Sequence, residues 1–204
     1  MNKEDVIILD QQTLYDDRYK LIRYTLKHKL FQGGFTQPFQ RDVFARLSST
    51  AILPYDPARD EVVLIEQFRA PMLSLGEHPW LMEIVAGVCD TNESPREVAI
   101  REAQEEAGCS IGAAHLICEY LPSPGVCNEV VYLFCGKTDT QNIGGIHGLT
   151  EENENIRACV VPFEEAFGFI AQGRIKTSPA ILALQWLKLN RTNLRKDEQW
   201  VDQT

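Results

Sequence analysis

Gly87-Val-Cys-Asp-Thr-Asn-Glu93-Ser94-Pro95-Arg-Glu-Val-Ala-Ile-Arg101-Glu102-Ala103-Gln-Glu105-Glu106-Ala-Gly108-Cys109 is the stretch that decides how this chain reads. Ser94 can cap a helix, Pro95 suits its first turn, and Gly108 suits a left-handed stop. Between them lie four acidic side chains and two arginines. Glu102 and Glu106 are four residues apart and Glu105 is three from Glu102, so a helix puts the three carboxylates on one face. Like charges at that spacing repel, and an isolated helix gains nothing from them. A divalent cation would reverse the penalty. Mg²⁺ prefers hard oxygen ligands and combines one or two carboxylates with waters and substrate phosphates. The stretch therefore points to a metal-dependent enzyme acting on a phosphate compound.

Outward from this helix, the flanking sequence reads as strands and helices in mixed order. Upstream, 61–69 is a strong strand, 50–54 opens the main domain before a turn at Asp56-Pro57, and 81–85 is a shorter strand. Downstream, strands are expected at 115–121, 129–137 and 156–162. A helix runs from Pro162 to near Gly173, and a broadly apolar, buried helix covers about 178–190. Residues 193–204 read as a frayed polar tail. Nearer the N-terminus, 17–29 reads as a strand with Ile22, Tyr24 and Leu26 on one face. It is followed by a turn at Gln32-Gly33-Gly34 and a partner strand at 38–46. The expected division is an N-terminal antiparallel β arm at 1–47 and a catalytic domain at 48–204. The arm has too few residues for a core of its own and must dock on the main domain or on a second subunit. We favour a homodimer contact. The element order implies an α/β fold with a mixed central sheet covered by helices on both faces.

Composition narrows the function classes. A net charge of −9 argues against general nucleic-acid or membrane-surface binding. No apolar run is long enough to span a bilayer, and no secretory signal is visible at Met1-Asn-Lys-Glu-Asp5. The expected compartment is the cytoplasm. The six cysteines form no C-x-x-C pair and read as reduced, small hydrophobes. His28, His78, His115 and His147 are scattered and read as structural or surface residues. Residues 18–46 hold seven Lys or Arg and one acid, a local positive field that would attract a diphosphate. The same lysines equally suit the protection of edge strands.

The spacing of Gly87, Glu93, Arg101-Glu102, Glu105-Glu106 and Gly108 resembles the Nudix box. Seven fixed positions match by chance in on the order of one window in 10⁸. The resemblance implies the Nudix α/β/α sandwich with a mixed central sheet. It extends to Arg59–Arg69, Leu121-Pro-Ser-Pro-Gly125, Gly145-Ile-His-Gly-Leu149 and Ile181–Leu187, which look like bacterial ADP-ribose pyrophosphatases over nearly all of 48–190. It implies hydrolysis of ADP-ribose to AMP and ribose 5-phosphate with Mg²⁺, two or three ions, Mn²⁺ serving as an alternative. Another nucleoside diphosphate sugar such as GDP-mannose is the alternative substrate. A silent domain that binds nucleotide sugars as a sensor is the alternative class.

The resemblance also assigns residues. The carbonyl of Ala86 and the carboxylates of Glu102, Glu105, Glu106 and Glu154 are the expected metal ligands. Glu105 could be shared between metal and Arg101 or could pair with Arg101 alone. Glu152, first of the Glu152-Asn-Glu154 triplet, is the expected general base; by residue type alone, 150–155 equally reads as a solvated acidic loop. Gly87, Glu93, Arg101 and Gly108 are expected to shape the motif. Arg69, Val88, Ser123, Pro124, Gly125 and Glu129 are expected at the substrate, together with Arg41, Asp42 and Arg46 from an arm that reaches the partner's site. Val126 stands where the family pattern has a second glycine, and Arg18 where an aromatic often stands; Tyr19, next to it, faces the other way along a strand.

Overall fold

In the computed structural model, which describes residues 1–196 and 200, the chain divides into two compact units. One is Met1–Leu47 with Leu121–Val130; the other is Ser48–Tyr120 with the chain from Val131 onward.

The first unit is a three-stranded antiparallel sheet, β1 (Val6–Asp16), β2 (Lys20–His28) and β3 (Phe39–Ala45), in that order. The expected strands at 17–29 and 38–46 are β2 and β3. β1 was not legible, because Val-Ile-Ile-Leu-Asp-Gln-Gln-Thr-Leu-Tyr-Asp lacks strict alternation. Its register with β2 shifts twice, between Ile8 and Asp10 and between Thr13 and Tyr15, and a bulge of that kind breaks the period of two. Every residue of β1 is exposed, Val6, Ile7, Ile8 and Leu9 included. Leu121–Val130 joins this unit through Phe44, whose N–H donates to the Val126 carbonyl at 2.8 Å.

The second unit is built on β4 (Ser49–Asp56), β5 (Glu61–Phe68), β6 (Trp80–Glu83), β7 (Val85–Val88), α1 (Pro95–Ala107), β8 (Ala113–Tyr120), β9 (Val131–Lys137), β10 (Gly145–His147), β11 (Ile156–Pro162), α2 (Phe163–Ala171) and α3 (Ser178–Leu194). The sheet runs β10-β11-β5-β4-β9-β8, with β6 also paired to β5 and β7 to β4. β4 and β9 are parallel and the other pairs antiparallel, so the sheet is mixed. Alternation along the two central strands assigns its faces. Ile52, Val63 and Ile65 pack with Ala99, Ala103 and Ala107 of α1. Leu53, Tyr55, Val62 and Leu64 pack with Phe163 and Phe169 of α2 and with Ala183, Leu184 and Leu187 of α3. All of these except Phe169 are 0% exposed, and full burial of a side chain the size of leucine stabilises by roughly 1.5–3 kcal/mol. The result is the α/β/α sandwich with a mixed central sheet; the small antiparallel sheet belongs to the first unit.

Two boundaries differ from expectation. The single strand expected at 81–85 is two, because the chain changes partner at Ile84: β6 pairs with β5 and β7 with β4. The last helix continues to Leu194, which is 1% exposed. Arg191 and Arg195 of its final turns bind the Asp60 carboxylate at 3.3 Å, which anchors residues read as tail. The rest of that tail, 197–199 and 201–204, lies outside the described residues. Among the described residues, no helix is long and apolar enough to cross a membrane.

Candidate active site

Helix α1 is fixed at both ends by its own sequence. The Ser94 side chain accepts the Glu97 N–H and the Glu97 carboxylate accepts the Ser94 N–H, a capping box. Gly108 ends the helix in the left-handed conformation, φ 66°. Ahead of the helix, Thr91 donates to Glu93 at 2.9 Å and Glu93 accepts from Arg101 Nε at 3.2 Å. Through that bond Glu93, in the loop, and Arg101, on the helix, are joined. Arg101 Nη1 also lies 2.8 Å from Glu105 Oε2 and 3.1 Å from Glu102 Oε1.

The opposite side of the site is β7. The Ala86 N–H donates to Glu106 Oε2 at 3.1 Å, which places a carboxylate only 3% exposed against that strand. Glu102 lies against Gly87: a Cβ there would stand 2.3 Å from Glu102 Oε1. Glycine is required by this approach and not by a special backbone angle. Burial pushes the Glu106 carboxyl up to about 8; the Ala86 hydrogen bond opposes this, and the charges of Glu102 and Glu154 add to it. Burial likewise pushes Glu102 up to about 6, against the pull of Arg101 and with help from Glu105 and Glu154. Arg69 is the cation that lowers Glu106, and its Nε donates to Glu83 Oε2 at 2.9 Å.

Glu154 reaches the site from the connection between β10 and β11. Its carboxylate accepts the Leu149 N–H at 3.3 Å, and its own N–H donates to the Leu149 carbonyl at 3.1 Å. Glu152 is exposed in the same loop, with its N–H on the Leu149 carbonyl at 3.0 Å.

These residues suit a hard divalent cation by donor chemistry. Three carboxylates, two of them raised first by burial and then by the charge of neighbouring carboxylates, form an oxygen donor set that gains from a counter-ion. As the side chains stand, no group of three or more His, Cys, Asp or Glu among the described residues forms a metal-binding cluster. Arg101 holds Glu102 and Glu105, and the Ala86 N–H holds Glu106. A bound cation would have to draw the first two away from the arginine.

The structure thus gathers Ala86, Glu102, Glu106, Glu154 and Arg69 in the second unit and turns Glu105 toward Arg101. Val88 ends β7, 41% exposed. The remaining substrate candidates lie in the first unit. Arg46 Nη1 binds Glu129 Oε2 at 3.0 Å, and the Arg46 N–H donates to Asn128 at 2.8 Å. Asp42 is held by two bonds of 2.7 Å from Arg23, its cross-strand partner. Arg41 lies over Phe39 with its guanidinium 4.5 Å from the ring centroid. Ser123, Pro124 and Gly125 are exposed; the Ser123 carbonyl accepts from Val126 and Cys127, making a tight turn despite the missing second glycine. Two residues were missed in the sequence. The Ser94-x-x-Glu97 spacing could have shown Glu97, whereas the role of Glu83 depends on strand pairing that has no local signature.

The NUDIX domain model matches residues 45–199. The chain is 40% identical over 195 residues to the ADP-ribose pyrophosphatase of Escherichia coli strain K12, covering 96% of this chain and 93% of that protein. It is 38% identical over 198 residues to the ADP-ribose pyrophosphatase of Haemophilus influenzae, covering 96% and 91%. The GDP-mannose pyrophosphatase of Yersinia pestis is 36% identical over 174 residues, covering 84% and 86%. The acid-rich helix between two glycines is therefore a Nudix box, and the chain belongs to the NUDIX domain family.

Proposed function

We propose that this protein hydrolyses the diphosphate of ADP-ribose, giving AMP and ribose 5-phosphate, with Mg²⁺ or Mn²⁺ as cofactor. The observation that carries the reading is the buried Glu106 carboxylate, raised by its burial and by the charges of Glu102 and Glu154. The two ADP-ribose pyrophosphatases similar over 96% of the chain support the choice of substrate.

Two or three ions would be held by the Ala86 carbonyl and by Glu102, Glu105, Glu106 and Glu154. When bound, they supply neutralisation of diphosphate charge and a more acidic water. Glu152 accepts a proton from the attacking water as its oxygen bonds to phosphorus and the bridging P–O bond breaks. Arg69, oriented by Glu83, holds phosphate oxygens. Glu93 and Arg101 keep the loop and helix in place. Val88, Ser123, Pro124, Gly125 and Glu129 bind the rest of the substrate, with Arg41, Asp42 and Arg46 acting on a partner's site. The arm of residues 1–47 serves the homodimer and the chain from 48 the chemistry. The apolar residues exposed along β1 support the dimer, which sedimentation at micromolar protein would detect. The six free cysteines support a cytoplasmic setting.

Incubation with Mg²⁺ and a panel of nucleoside diphosphate sugars tests the reading. ADP-ribose is expected to give the highest kcat/KM. A preference for GDP-mannose would replace the substrate, a reading that the Yersinia relative makes specific. Binding of the panel with hydrolysis of none would make the protein a sensor.

A further inference from the structure

The end of helix α1 meets the start of the acidic loop where His147 packs on Gly108. Gly108 ends the helix, and a Cβ there would stand 2.9 Å from His147 Cε1. His147 closes β10 and pairs with Ile156, a residue of the core beneath α1. Its Nε2 lies 3.0 Å from the Gly144 carbonyl, a bond that puts the ring proton on Nε2. The next residue, Gly148 (φ 97°), donates its N–H to the Glu105 carbonyl at 3.3 Å. That carbonyl belongs to the last turn of α1, where carbonyls lack intrahelical partners. A Cβ on Gly148 would stand 2.7 Å from Glu154 Cβ, so the chain is pressed close on both sides. From there the loop closes on itself. The Leu149 carbonyl accepts from Glu152 and Glu154, and Asn153 turns left-handed at φ 58°.

We propose that His147 is a positioning residue. Its ring, seated on Gly108, sets the loop that carries Glu152 and Glu154 in register with the helix that carries Glu102 and Glu106. The inference rests on the hydrolase reading above, because only there does the register matter for turnover. Displacement of reacting groups by about 1 Å can cost on the order of a hundredfold in rate. A residue of this kind acts on kcat while leaving substrate affinity in place.

The test uses His147→Ala and His147→Gln in the full chain. Steady-state kinetics on ADP-ribose with saturating Mg²⁺ is read beside amide hydrogen exchange of 145–156 without substrate. His147→Ala is expected to lower kcat by about tenfold or more with KM within about twofold, and to speed exchange in the loop. His147→Gln, whose amide can still donate to Gly144, is expected to recover most of kcat. Equal losses in both variants, or a kcat for His147→Ala close to wild type, would overturn the proposal. Should His147→Ala fail to fold, His147→Ser reads the same contact by removing the ring; an unchanged kcat there is equally fatal. A wild type that hydrolyses no nucleoside diphosphate sugar sinks the hydrolase reading instead. Exchange then judges the contact alone, and an unchanged loop in His147→Ala removes it.

Discussion

Glu102 folds its carboxylate onto Gly87, so close that a Cβ at 87 would stand 2.3 Å from Glu102 Oε1 and 2.4 Å from its Cγ. The glycine is needed for space and not for a left-handed turn. The obstructing atoms are the far end of a flexible side chain. A methyl group therefore displaces the carboxylate at little cost to the fold. Gly87→Ala is expected to lower kcat/KM by roughly tenfold or more with circular dichroism and melting temperature nearly unchanged. A variant that unfolds, or one of full activity, would contradict this account of the glycine.

Glu152 is exposed and belongs to a loop fixed by backbone bonds to Leu149. A general base contributes roughly 10²–10⁴-fold to rate. Glu152→Gln is expected to lose activity in that range while still binding Mg²⁺, measured by calorimetry. Near-normal turnover would remove Glu152 as the base. Glu154→Gln separates the two roles, since its loss is expected to weaken the metal response as well.

How much of this was legible in sequence follows from the range of each interaction. The ends of α1 are written locally in Ser94, Pro95 and Gly108, and the helix begins and stops where they indicate. The carboxylate face is likewise local, because i, i+3 and i, i+4 spacing needs no tertiary information. The pairing of Arg101 with Glu105 was open in sequence and is present at 2.8 Å. What stayed hidden depends on contacts between distant residues. Gly108 under His147 joins positions 39 apart, and Arg69 on Glu83 follows from the pairing of β5 with β6. Strand β1 was invisible because its two register shifts erase the alternation by which strands are read.

Glu106 should couple metal to stability. Its carboxylate is buried beside Glu102 and Glu154, and a cation relieves that repulsion only in the folded state. A ligand present at a hundred times its Kd stabilises by about 2.7 kcal/mol. Saturating Mg²⁺ is therefore expected to raise the melting temperature of the wild type. Glu106→Gln keeps an oxygen for the Ala86 N–H and loses the ionisable carboxyl that a cation would bind. Its melting temperature without Mg²⁺ is expected to equal or exceed that of the wild type, and its Mg²⁺ response to be much smaller. An undiminished shift in the variant would exclude Glu106 from the metal site.

Asp56 gives the clearest pH dependence of the fold. It is 2% exposed at the turn between β4 and β5. Burial alone would raise its carboxyl, but hydrogen bonds from the backbone of Thr140 and Arg59 and from both their side chains outweigh it, so the group is lowered below the ordinary range. The Thr140 N–H and Oγ1 lie 3.1 and 3.0 Å from Oδ2, and Arg59 Nη1 2.8 Å. A carboxyl lowered in the folded state stabilises above its unfolded pKa of about 3.9. That contribution is lost as pH falls below this value toward the folded one. Urea unfolding between pH 7 and 2 should therefore show a decline beginning near pH 4. Asp56→Asn removes the charge at every pH and is expected to cost about 1–3 kcal/mol at pH 7. The difference between variant and wild type should shrink as the pH drops. A constant difference across that range would mean that the Asp56 charge contributes nothing and that its neighbours are held by shape alone.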